Sequence, residues 1–221
     1  MMTSIYLTLM FLFYHIYAYL ELTPFNYFPT FAIKFLRWPV KDVSLLMSVF
    51  FGTNFAARFL GVPLSFVLHP RTMIIINLCL TMIAVVILLA VQSVPELLWA
   101  SAAMLGIGMA TILAATMLWT AEKMVISGRV ASILVAGWSS GNVFHPQIVG
   151  RLFDVPAAGG PMSMVYVTVT AALLLVALFI CMMVFVARCR VDHHPTDLRL
   201  QETVYDAPAS TRTAVEVEHL T

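Results

Sequence analysis

The sequence contains few charged residues and few cysteines. Asp, Glu, Lys and Arg make up 10% of its 221 residues and hydrophobic residues make up 61%, whereas soluble proteins contain about 25% charged residues. Three cysteines, two of them inside apolar segments, indicate no disulfide framework. A net charge of +1 argues against nucleic acid as a partner. This composition excludes a soluble enzyme and a disordered protein.

The sequence also lacks the common motifs of catalysis and metal binding. It has no Cys/His spacing typical of a metal site, no nucleophile elbow, no P-loop and no pair of carboxylates on one helical face. We therefore predict that the protein is not an enzyme. It should have no catalytic residues, no metal site and no cofactor.

Long apolar segments fill residues 1–190. Each is close to or longer than the roughly 20 residues that a helix needs to cross a bilayer. The six segments are Ser4–Leu20, Val43–Leu68, Thr72–Gln92, Leu97–Thr120, Val130–Gly150 and Pro161–Ala187. We predict an all-α membrane protein with six transmembrane helices, the first of which continues past Pro24 to about Phe35.

The composition changes at the end of the sixth segment. Residues 1–190 form the predicted transmembrane bundle, whereas residues 191–221 are polar and are predicted to be a disordered tail. An even number of spans places both termini on one side of the membrane. That side holds slightly more of the basic residues near the spans, which weakly favours cytoplasmic termini under the positive-inside rule.

Polar side chains interrupt the first, second, fourth and fifth spans, and the second span contains a charge. Asn54, Arg58, Gly61 and Ser65 share one helical face by their spacing. A charged arginine at mid-membrane costs at least about 2.5 kcal/mol, so Arg58 needs a carboxylate, carbonyl groups or water as a partner. Two readings are open: Arg58 is a gating or structural charge in a polar interior, or it reaches the membrane interface.

An acidic residue, Glu21, ends the first span and shares a helical face with Tyr14 and Tyr17. A carboxylate in a cavity of low dielectric constant binds a cation or keeps a proton, so Glu21 is a candidate ion-coupling residue. The alternative is a glutamate at the membrane interface just before Pro24, with the two tyrosines in an aromatic belt.

The fifth span combines small, aromatic and hydrogen-bonding residues. Its Gly137-x-x-x-Gly141 spacing favours close packing of two helix backbones. Trp138, Asn142 and His145 fall at i, i+4 and i+7, and Gln147 follows; an aromatic ring with such groups suits a polyhydroxylated ligand. These four residues are therefore candidate substrate contacts, and packing is the alternative. Pro146 should kink this helix.

The third and sixth spans carry few polar residues, so the six spans form two similar triplets. Major facilitator transporters contain 3+3 inverted repeats within each six-helix half. The chain resembles the sodium-dependent glucose transporter-like group of that superfamily over about Phe11–Arg188. The segments that resemble its seventh, eighth, tenth and eleventh helices are Leu20–Thr23, Phe51–Ser65 with Leu68–Met73, Leu105–Glu122 and Gly128–Gly141.

This resemblance implies the C-terminal six-helix half of a transporter whose first, second, fourth and fifth helices face a central cavity. It also implies alternating-access transport of a small polar solute such as glucose, with Na⁺ as the coupling ion at Glu21, in the plasma membrane. The sequence departs from the group in three ways. Ala114-Ala115 replaces a proline of the fourth span, Ser65 replaces an acidic loop residue, and the first half is missing.

The missing half leaves two hypotheses. In the first, the chain is an incomplete or truncated transporter whose partners are the solute, membrane lipid and an N-terminal half or another bundle. In the second, it is a non-transporting membrane interaction protein that pairs with a full-length transporter.

Overall fold

The computed structural model describes residues 2–124, 126–154 and 160–188. They form α1 (Met2–Lys34), α2 (Val40–Val67), α3 (Pro70–Ala90), α4 (Leu97–Met109), α5 (Ile112–Ala121), α6 (Gly128–Asp154) and α7 (Ser163–Arg188), with a short 3-10 turn at Gly160–Met162. The predicted all-α fold is confirmed for these ranges. The predicted tail at 191–221 lies outside the described residues.

Five helical segments of the described chain are long and apolar enough to cross a membrane. They are Ser4–Lys34, Val40–Val67, Pro70–Ala90, Leu97–Ala121 and Gly160–Arg188. The fifth predicted span is also a helix, α6, with 27 residues. Its mean hydropathy is lower than that of the other five segments because it contains serine, asparagine, histidine and glutamine.

The first helix is longer than its apolar segment. α1 continues through Pro24 and Pro29 to Lys34, which confirms the predicted extension. A membrane helix tolerates proline where neighbouring helices satisfy the freed backbone groups. After α1 the chain turns before α2 begins, and Arg37 in this turn has a φ of 57°.

The fourth predicted span is confirmed as one helical segment, Leu97–Ala121, and it is interrupted near its middle. α4 ends at Met109 and α5 begins at Ile112, with Thr111 at φ −118° and ψ 4°. α1 supplies donors to the backbone around this break: Tyr17 Oη donates to the Met109 carbonyl (3.0 Å) and Tyr14 Oη to the Leu113 carbonyl (3.3 Å). Both tyrosines are buried, which rules out the aromatic-belt reading for them.

Two groups of helices form the bundle. α1 packs mainly against α6 and α7, and α4 packs mainly against α2 and α3; α7 also contacts α3. α2 is the helix with the smallest buried share, since its buried residues are Val43, Leu46, Phe50 and Gly61. α2 therefore has a broad exposed face.

The Gly137-x-x-x-Gly141 spacing brings α6 against α1. A Cβ atom on Gly137 would lie 2.7 Å from the Phe11 carbonyl oxygen, and one on Gly141 would lie 2.6 Å from the His15 carbonyl oxygen. A side chain at either position would push the backbones apart. The two glycines thus pack helices together, and they set the distance at which side chains of α1 and α6 meet.

Candidate functional site

Two charges of the apolar bundle pair with each other. Nη2 of Arg58 on α2 lies 3.0 Å from Oε1 of Glu21 on α1. The Glu21 side chain is 22% exposed and that of Arg58 is 54% exposed, so the pair lies at an accessible face of the bundle. Of the three kinds of partner that the sequence left open for Arg58, a carboxylate, carbonyl groups or water, the structure supplies a carboxylate, that of Glu21.

The second carboxylate oxygen of Glu21 has a partner from a third helix. Nε1 of Trp138 on α6 donates a hydrogen bond to Glu21 Oε2 at 3.2 Å. The indole ring is partly exposed. Glu21, Arg58 and Trp138, predicted separately as coupling, gating and substrate residues, thus form one contiguous network.

A polar side chain on α2 extends this network to a fourth helix. Asn54 Oδ1 accepts a hydrogen bond from Arg58 Nε at 2.9 Å, and Asn54 Nδ2 donates to the Gly106 carbonyl of α4 at 2.9 Å. The two α2 residues are four apart and therefore neighbours on one face. A Cβ atom on Gly106 would lie 2.6 Å from the Phe50 carbonyl oxygen, so glycine is what allows α2 to approach α4 here.

The remaining predicted contacts of α6 make no side-chain hydrogen bond to Glu21, Arg58 or the Trp138 ring. Asn142 Nδ2 donates to the Trp138 carbonyl of its own helix at 2.9 Å, and its side chain is partly exposed one turn away. Gln147 is exposed near the far end of α6. The structure therefore places Asn142 beside the network and leaves Gln147 away from it.

His145 is fully buried between α1 and α6. Its ring lies 5.3 Å from that of Tyr19 and 5.8 Å from that of Tyr27, both edge-on. Its Nε2 is 2.8 Å from Thr23 Oγ1, which itself donates to the Tyr19 carbonyl at 2.6 Å. Because that hydroxyl has one hydrogen, His145 Nε2 must be the donor. Its Nδ1 is then a buried acceptor without a protein partner among the described residues.

His15, another histidine of this interface, has the opposite arrangement. His15 Nδ1 is 2.8 Å from Ser140 Oγ, whose hydrogen goes to the Gly137 carbonyl at 2.8 Å. The hydrogen of His15 is therefore on Nδ1. Both rings pack against the Tyr19 ring at the contact between α1 and α6. Their packing helps to hold these two helices together.

The sequence analysis did not select Asn54 and the Gly106 carbonyl as site groups. The spacing of four residues between Asn54 and Arg58 was a usable signal for the first. No local signal marks the carbonyl, because its role depends on the approach of α2 to α4. Within the described ranges, no group of three or more His, Cys, Asp or Glu residues could hold a metal ion.

The arrangement can hold a cation and present an aromatic ring. A carboxylate and an amide oxygen flank the Arg58 guanidinium, while the indole adjoins the same carboxylate. Oxygen groups of this kind bind cations, and an aromatic face beside hydrogen-bonding groups suits a hydroxylated solute.

Comparison with known proteins gives relatives with two kinds of name. The chain is 30% identical over 146 residues to human "Sodium-dependent glucose transporter 1", covering 66% of this chain and 28% of the relative. It is 27% identical over 146 residues to mouse "Sodium-dependent glucose transporter 1A", covering 66% of this chain and 34% of the relative. It is 25% identical over 114 residues to human "Major facilitator superfamily domain-containing protein 4A", covering 52% of this chain and 22% of the relative.

No family model matches the chain, and no solved structure matches it significantly. The chain spans about a third or less of the length of the curated relatives it matches. Its apolar helices and these relatives together indicate a multi-pass membrane protein. The resemblance seen in the sequence is thereby confirmed: the chain is similar to proteins named sodium-dependent glucose transporter 1 and to a protein named major facilitator superfamily domain-containing protein 4A.

Proposed function

We propose that this chain is the C-terminal six-helix half of a secondary transporter that moves a hexose by alternating access, coupled to Na⁺. The names of its relatives support a transporter. The observation that carries the proposal is the network of Trp138, Glu21 and Arg58, which joins three helices at one accessible face. Transporters of this superfamily bind substrate near the midplane, between repeated bundles.

In this proposal, different residues of the network bind the solute and the ion. The exposed part of the Trp138 ring would stack on the C–H face of a sugar, while Asn142, one turn away, would exchange hydrogen bonds with its hydroxyl groups. Glu21 would hold the coupling ion, and Arg58 would act as the gating charge. His145 and Gln147 would take part only in a state in which α6 has moved, because one is buried and the other lies away from the network.

The six predicted spans supply one wall of a pathway, so we propose a second bundle, the N-terminal half, as the partner. The broad exposed face of α2 is the surface on which such a bundle would pack, and Arg58 lies on that helix. In this arrangement the six spans form a 3+3 inverted repeat with both termini in the cytoplasm, and the transporter resides in the plasma membrane. The second hypothesis, a non-transporting partner protein, gains no support from the relatives, since those named for a function are transporters and not enzymes or accessory proteins.

The test is radiolabelled glucose uptake in cells that express the full chain, with Na⁺ or choline as the external cation. Trp138→Ala should lower uptake by about fivefold to tenfold, because aromatic stacking contributes about 1–1.5 kcal/mol. The matched control is Trp99→Phe, which keeps a ring on Trp38 far from the network. The same variants should be compared in glucose binding to the purified chain in nanodiscs, which does not require a complete pathway.

Two results would contradict the proposal. Uptake and binding that are the same in Trp138→Ala, Asn142→Ala and the unchanged chain would remove the solute assignment. Glucose uptake that is equal in Na⁺ and choline would remove the coupling role of Glu21.

A further inference from the structure

The guanidinium of Arg58 lies between two side-chain oxygen atoms. Its Nη2 faces Glu21 Oε1 at 3.0 Å and its Nε faces Asn54 Oδ1 at 2.9 Å. One of these oxygens belongs to a carboxylate and the other to an amide, and each comes from a different helix. The same two atoms are the kind of ligands that a hard cation such as Na⁺ takes.

We propose that the Arg58 guanidinium and Na⁺ compete for one site. The ion binds between Glu21 and Asn54 only when the guanidinium has moved away from their oxygen atoms. The proposal rests on the sodium coupling proposed above. Two positive charges a few ångström apart repel each other, so Glu21 cannot hold both at full strength. Binding of Na⁺ and closure of the Arg58–Glu21 pair are then mutually exclusive.

The structure provides room for the exchange. The Arg58 side chain is 54% exposed, so about half of its surface is free of packed neighbours. Asn54 stays in place because its Nδ2 is anchored on the Gly106 carbonyl at 2.9 Å. Glu21 is likewise held by Trp138 Nε1 through its other oxygen. The two oxygens therefore keep their positions while the cation between them changes.

The exchange also links the ion to the solute residue. Trp138 donates its hydrogen bond to the carboxylate whose charge is neutralised by either Arg58 or Na⁺. A free guanidinium would then be available to a carboxylate on the partner bundle or to water. Na⁺ binding would in this way change the charge presented by α2 at the accessible face.

The test measures binding of radioactive sodium to the purified full chain in nanodiscs at constant ionic strength. Arg58→Met removes the tethered charge and keeps a long apolar side chain, so Na⁺ affinity should rise by about tenfold or more. Arg58→Lys retains a tethered cation and is the matched control, with affinity close to that of the unchanged chain. Adding Asn54→Ala or Glu21→Gln to Arg58→Met should reverse the gain.

A second measurement needs no substitution. The rate at which phenylglyoxal modifies Arg58, located by mass spectrometry of the peptide, should increase when Na⁺ replaces choline. The rate at Arg71, which lies at the start of α3, should not change. This measurement still decides the proposal if Arg58→Met fails to fold.

An unchanged Na⁺ affinity in a folded Arg58→Met variant, or an Arg58 modification rate that is the same in Na⁺ and choline, would overturn the proposal. A rise in proton uptake in place of sodium binding would overturn it as well. Glucose binding is measured in parallel in the same nanodiscs, so the two proposals can fail separately. Sodium-dependent glucose binding with no effect at Arg58 removes only the competition, and an effect at Arg58 without glucose binding removes only the hexose.

Discussion

Arg58 on α2 and Glu21 on α1 form an ion pair, with Nη2 of the arginine 3.0 Å from Oε1 of the glutamate across 37 residues of sequence. The pair lies where the arginine side chain is 54% exposed. In the proposed transporter this face lines a water-filled pathway, and ion pairs in contact with water usually contribute about 1 kcal/mol or less. The importance of the pair should therefore lie in ion and solute handling rather than in stability.

A double-mutant cycle on this pair tests that view. Glu21→Gln, Arg58→Gln and the double variant should show a coupling energy of about 1 kcal/mol or less when unfolding in SDS is followed by circular dichroism. Glucose uptake should fall in Glu21→Gln far more than the stability does. A coupling energy of about 3 kcal/mol or more would mean that the pair is fully desolvated and has a structural role.

Substitution of Gly141 tests the contact between α1 and α6. A Cβ atom there would lie 2.6 Å from the His15 carbonyl oxygen and 2.5 Å from Ala18 Cβ, so Gly141→Ala should destabilise the chain by about 1–3 kcal/mol. Gly52→Ala is the matched control, because a Cβ atom at Gly52 meets nothing within 4 Å. Alanine should be neutral or favourable by up to about 1 kcal/mol in that helix. Equal effects of the two changes in SDS unfolding would contradict this close approach.

Local patterns were sufficient to predict the helices, but they were not sufficient to predict which charged residues pair. Apolar run length placed the helical segments because it depends on neighbouring residues alone. The requirement that Arg58 have a polar partner, whether a carboxylate, carbonyl groups or water, also followed from local chemistry. That the partner is Glu21 depends on the rotation of α1 relative to α2, which is set by tertiary packing.

The break between α4 and α5 shows the other limit of local patterns. The segment around Ala110 contains no proline, and its apolar residues predict a continuous helix. Side chains from distant parts of the chain bind the groups at the break: Tyr17 contacts the Met109 carbonyl, and Asn77 Nδ2 donates to Thr111 Oγ1 at 2.6 Å. No window of neighbouring residues contains that information.

The hydrogen bond of Tyr17 to the broken helix gives a further prediction. Tyr17 is fully buried, and Tyr17→Phe would leave the Met109 carbonyl without its 3.0 Å donor. An unsatisfied buried acceptor costs about 1–3 kcal/mol, so the variant should unfold in SDS at a lower midpoint. Tyr166→Phe is the control, since Tyr166 is 49% exposed on α7. Similar midpoints for the two variants would show that the carbonyl finds another donor.

In their neutral forms, the two histidines between α1 and α6 should carry their hydrogens on different nitrogens. Thr23 Oγ1 gives its hydrogen to the Tyr19 carbonyl, so it must accept from His145 Nε2; Ser140 Oγ gives its hydrogen to the Gly137 carbonyl, so it must accept from His15 Nδ1. Nitrogen-15 NMR of histidine-labelled protein in bilayers distinguishes the two tautomers by chemical shift.

Assignment of these signals uses His145→Gln and His15→Gln, each of which removes one signal. We expect an Nε2–H signal for His145 and an Nδ1–H signal for His15. Thr23→Val removes the acceptor of His145 and should leave the His15 signal unchanged, because His15 bonds to Ser140 instead. The same tautomer at both positions, or a shift of the His15 signal in Thr23→Val, would mean that one of the two hydroxyl groups donates to a histidine instead of to its own helix.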